Sequence, residues 1–64
     1  TSGKEWKKYL RDAVGECNEM IVHISMIRDL YGGVVGVGLC EELISTYNIC
    51  GKQLYRLGES WNSL

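Results

Sequence analysis

Gly32-Gly33-Val34-Val35-Gly36-Val37-Gly38 is the stretch on which the fold turns, with four glycines in seven residues between two longer segments of regular apolar spacing. Glycine adopts backbone angles closed to other residues and loses the most entropy inside a helix, so this composition predicts a hinge over 32–38. Glycines also cradle phosphates. The segment matches neither G-x-x-x-x-G-K-[ST] nor G-x-G-x-x-G, however, and no strand pattern precedes it. Its interleaved valines are too apolar for a free linker and predict a turn packed against something.

Upstream of the hinge, Trp6, Leu10, Ala13, Cys17, Met20, Ile24, Ile27 and Tyr31 recur at steps of four and three, which puts them on one stripe of a helix. Ser2 followed by Glu5 fits a capping box, and Gly32-Gly33 fits a helix end, so helix 1 is expected over about 3–31. Downstream, Cys40, Leu43, Tyr47, Cys50, Leu54, Leu57, Trp61 and Leu64 repeat the spacing. Glu41 and Glu42 suit the positive end of a helix dipole, Asn48 and Gly51 weaken the middle, and Gly58 suits a stop. Helix 2 is expected as one segment over about 39–57, followed by a tail at 58–64. With no proline to break either stripe, the sequence reads as all-α: one domain, 1–64, folded as an antiparallel two-helix hairpin with a Gly-rich hinge. A bend centred between residues 34 and 35 pairs positions whose numbers sum to about 69. That register puts Cys17 beside Cys50 and Cys40 beside Asp29.

Two helices that share one stripe leave apolar surface over. Ile21, Val22, Met26 and Leu30 flank or oppose the stripe, and between Met20 and Ile27 only His23 and Ser25 are polar. Below about 70 to 80 residues a single core rarely supplies more than 3 to 5 kcal/mol, and association is a common remedy. The expected outcome is a four-helix bundle, completed by a second copy of the chain as a homodimer or by a helix of another protein. Ile21, Val22, Met26 and Leu30, with Val34 and Val35 of the hinge, form the expected partner face. Trp6, Leu10, Cys17, Ile24, Leu43, Tyr47 and Leu54 form the internal seam. The expected function is a protein-protein interaction or oligomerisation module.

Charge supports one alternative. The net charge of −1 gives no global field for nucleic acid or anionic lipid, but Lys4, Lys7, Lys8, Arg11, Lys52 and Arg56 gather at the end away from the hinge. Beside Trp6, Tyr9 and Tyr55, these cations suggest a small dimeric helical protein that binds nucleic acid through its basic end. Glu5, Asp12 and Glu59 share that end and leave it at +3, few unopposed cations for gripping phosphates.

Catalysis, metals and cofactors are not expected. His23 is the only histidine, and with Glu19 one turn away it supplies too few ligands for a metal site. Three cysteines, an odd number with no C-x-x-C pair, read as reduced thiols in a cytoplasmic protein, although Cys17 and Cys50 are placed to form a bridge. The charge-free run Leu30–Cys40 is 11 residues long, short of the ~20 that span a membrane.

Overall fold

The computed structural model describes residues 3–63, with the side chains of 5–61. Two helices account for all of them except one residue: α1 (Gly3–Val35) and α2 (Val37–Ser63). They pack against each other as an antiparallel hairpin. Trp6, near the start of α1, meets Trp61, near the end of α2, edge to face with ring centroids 4.6 Å apart. Glu5 lies in the first turn of α1, where a carboxylate complements the helix dipole. The expected cap Ser2, together with Thr1 and Leu64, lies outside the described residues.

The hinge expected over 32–38 narrows to Gly36 alone. Its φ of 106° lies in a region that L side chains rarely adopt, and this single residue reverses the chain. The Gly36 amide still donates to the Gly32 carbonyl at 2.8 Å, while the Gly36 carbonyl accepts from the Cys40 amide at 3.3 Å. One residue thereby closes the last turn of α1 and opens the first turn of α2. Gly32, Gly33 and Gly38 are helical, since low helix propensity is only a weak preference. Gly32 is buried, and a Cβ there would stand 2.7 Å from Val37 Cγ2, so the tight turn needs its bare backbone.

Helix 2 is continuous, but it begins earlier and ends later than 39–57. Glu41 and Glu42 consequently fall beyond its first turn. Gly58 does not stop it and the expected tail is helical through Ser63, because Gly58 is buried in the contact between the helices. A Cβ at Gly58 would come within 2.6 Å of Leu10 Cδ2, whereas one at Gly51 would sit 3.6 Å from the Cys17 Cβ.

These neighbours, Leu10 with Gly58 and Cys17 with Gly51, define the register. Paired numbers sum to 67 to 69, one or two short of the expected value in most pairs. They also move the seam. In α1 the more buried positions are Trp6, Leu10, Ala13, Val14, Cys17, Ile21, Ile24, Ser25, Arg28 and Gly32; in α2 they are Cys40, Ile44, Tyr47, Gly51, Leu54 and Gly58. Met20, Ile27, Leu43, Cys50 and Leu57, expected along the stripe, are displaced to its edge and remain exposed. Glycine at 51 and 58 explains the shift in α2, since bare backbone lets α1 approach along that line.

The hairpin is long and thin. Its Cα extents are 47 × 16 × 12 Å, and its radius of gyration of 14.8 Å compares with about 11 Å for a compact domain of this length.

Candidate interaction surface

Very little is fully enclosed. Among the described residues the buried apolar side chains are Cys17, Ile24 and Cys40. The accessible surface is 5095 Å², against about 4,100 Å² for a folded monomer of 7.2 kDa.

Of the residues expected to face a partner, Val22, Met26, Leu30, Val34 and Val35 are exposed, Val34 most of all at 90%. Ile21 is half-buried because the shifted seam draws it toward α2. The exposed residues wind around the outer side of α1 in steps of four, since 3.6 residues per turn carries each one further round the helix. They do not form a flat face.

A flatter apolar surface lies beside the seam. Both helices are right-handed but run in opposite directions, so the row just before the seam falls on the same broad face of the hairpin in each. In α1 that row holds Ala13, Met20, Ile27 and Val34; in α2 it holds Leu43, Cys50 and Leu57, at intervals of seven. Every member is apolar or a thiol. Trp61, on the seam line with Tyr47 and Leu54, packs on Trp6 at the end of the hairpin. The sequence already contained this row, because Met20, Ile27, Leu43, Cys50 and Leu57 belong to the two stripes. The structure separates those that meet between the helices from those left at the edge.

The opposite face is polar. Its row just after the seam holds Arg11, Asn18 and Ser25 from α1 and Glu41, Asn48 and Tyr55 from α2. Two adjoining depressions of about 400 and 420 Å³ run along it and share Val14, Tyr55 and Glu59. Lys7, Arg11, Lys52 and Arg56 line them, so the structure brings four of the six basic candidates to one groove. Lys8 stands apart from the groove, its ammonium 5.9 Å from the Tyr9 ring, and the Lys4 side chain lies outside the described ones. Lys7 also holds its ammonium 5.8 Å from the Trp6 ring centroid. Hydroxyls near the faces are satisfied within their own helices: Ser25 Oγ donates to the Ile21 carbonyl at 2.7 Å and Thr46 Oγ1 to the Glu42 carbonyl at 2.9 Å.

Chemically reactive groups are sparse. Cys17 and Cys50 are neighbours, as the register required, and all three cysteines are free thiols. Burial pushes the Cys17 thiol up, and the Cys50 thiol beside it adds to the shift as a hydrogen-bond partner and a like charge. A raised thiol is a poor nucleophile at neutral pH. His23 and Glu19 are exposed, and among the described residues no three His, Cys, Asp or Glu side chains gather in a way that could hold a metal ion. No helix among the described residues is long and apolar enough to cross a membrane. Comparison with models of protein families, with characterised proteins and with solved structures finds no match to this chain.

Proposed function

We propose that this chain is a protein-protein interaction module, without a reaction of its own to catalyse, that works in the reducing cytoplasm by presenting apolar helix surface to a helical partner. The observation that carries this is the exposure of large apolar side chains along the hairpin, with Val22, Met26, Leu30, Val34 and Ile49 each more than half exposed. Contiguous apolar surface beyond a few hundred Å² marks an interaction site. The flat row of both helices and the outer residues Val22, Met26, Leu30, Val34 and Val35 are its two candidate seats. Three free cysteines fit a compartment that keeps thiols reduced.

The test is the behaviour of the isolated chain. At low micromolar concentration it should bind a dye that fluoresces on apolar surface, and its thermal midpoint should rise with the concentration of whatever covers that surface. A chain that binds no dye and unfolds cooperatively at a concentration-independent midpoint would contradict the assignment.

The basic groove favours a second reading, nucleic-acid binding, because Lys7, Arg11, Lys52 and Arg56 flank Tyr55 along one track. Glu59 lies in the same groove. Binding of a short single-stranded RNA that weakens steeply with salt and on Lys52→Ala would support it; no binding at low salt would remove it.

A further inference from the structure

The hairpin carries two thiols side by side near its middle, one on each helix. We propose that they are an oxidation site, at which a small disulfide of the glutathione class converts Cys17 and Cys50 into a bridge that staples α1 to α2, whatever occupies the apolar surface. The geometry comes from the seam. A Cβ on Gly51, the residue next to Cys50, would stand 3.6 Å from the Cys17 Cβ, so the two backbones pass at close range here. A disulfide requires Cα atoms within about 7 Å, an approach that the bare backbone of Gly51 favours. Cys17 and Cys50 are also in side-chain hydrogen-bonding contact.

Their surroundings divide the work. Cys50 is exposed and Cys17 is buried, so the small disulfide meets Cys50 first. The Cys50 thiolate attacks one sulfur of the reagent, the reagent's S–S bond breaks, and one small thiol leaves. Cys17 then gives up its proton and attacks the Cys50 sulfur, which expels the second small thiol. Two protein thiols are oxidised and one small disulfide is reduced to two thiols. Burial raises the Cys17 thiol, which suits it to the second, intramolecular step rather than to attack on a reagent in solution. Cys40 is a built-in control, only 2% exposed and ten residues from Cys50, about 15 Å along α2. Among the described residues the buried apolar side chains are Cys17, Ile24 and Cys40. Noncovalent packing this thin leaves a covalent tie at mid-length with a large effect, because it also closes a long loop in the unfolded chain.

The test incubates the native chain with glutathione disulfide and follows it by mass spectrometry. The product should be a single chain lighter by two hydrogen atoms, with no glutathione attached. Digestion without reductant should yield one linked peptide pair, Cys17 with Cys50, while Cys40 remains open to alkylation after unfolding. Cys17→Ala should stop at the first step and keep one glutathione on Cys50, and Cys50→Ser should acquire neither a bridge nor glutathione. The oxidised chain should melt about 10 °C or more above the reduced one, and reductant should reverse the shift. A native chain that retains glutathione on Cys50, a bridge that includes Cys40, or two chains joined through Cys50 overturns the proposal. Equal melting of the oxidised and reduced forms overturns the staple. None of these readouts depends on the interaction assignment, which the apolar dye tests separately.

Discussion

The rows on either side of the seam occupy equivalent positions on the same two helices, yet one is built from Ala13, Met20, Ile27, Leu43, Cys50 and Leu57 and the other from Arg11, Asn18, Ser25, Glu41, Asn48 and Tyr55. A hairpin that functioned alone would expose both rows to water, and nothing in its own packing would favour apolar residues in one of them. The asymmetry teaches that the apolar stripe of each helix is wider than the hairpin needs. Its middle joins the helices, one edge is polar, and the other edge is apolar and stays exposed.

Breaking the apolar row should have the largest effect. Ile27→Glu should reduce assembly at least a hundredfold, because a carboxylate would be enclosed without a partner, while Ser45→Glu at an exposed site near the polar row should change stability by no more than about 0.5 kcal/mol. Sedimentation of the two variants side by side checks the contrast. Equal effects would erase the distinction between the faces.

The hinge comes next. Gly36→Ala should cost about 1–3 kcal/mol, since alanine at a φ of 106° is strained whatever space surrounds it. Denaturant unfolding measures this, and a neutral result would mean that the turn lies elsewhere. Slightly less is expected from Gly58→Ala, roughly 1–2 kcal/mol, because the new methyl must displace Leu10 from a tight contact. Gly51→Ala sharpens the comparison with the opposite sign. Its methyl fits at ordinary contact distance from Cys17, so the gain in helix propensity should stabilise the hairpin by up to about 1 kcal/mol.

The spacing of Trp6, Leu10, Cys17 and Ile24, and of Cys40, Tyr47 and Leu54, was enough to read two helices and their antiparallel pairing. It also put Cys17 beside Cys50. The seam itself was not legible. In a stripe three positions wide, neighbouring rows share one periodicity, and steps of three and four pass as readily through Leu43, Cys50 and Leu57 as through Ile44, Gly51 and Gly58. Glycine concealed the answer twice over. At 51 and 58 it was read from its propensity as weakness and termination, when its lack of a side chain lets the helices close together. At 32, 33 and 38 it was read as hinge, when one residue of positive φ sufficed. Opposite faces become visible only once the seam is placed.

Isotope-filtered nuclear Overhauser spectroscopy on a mixture of labelled and unlabelled chains addresses the central claim most directly, because it registers only contacts between molecules. The account predicts intermolecular signals to the methyl groups of Met20, Ile27, Leu43 and Leu57. Signals confined to Val22, Met26 and Leu30, or no intermolecular signals at millimolar concentration, would contradict it.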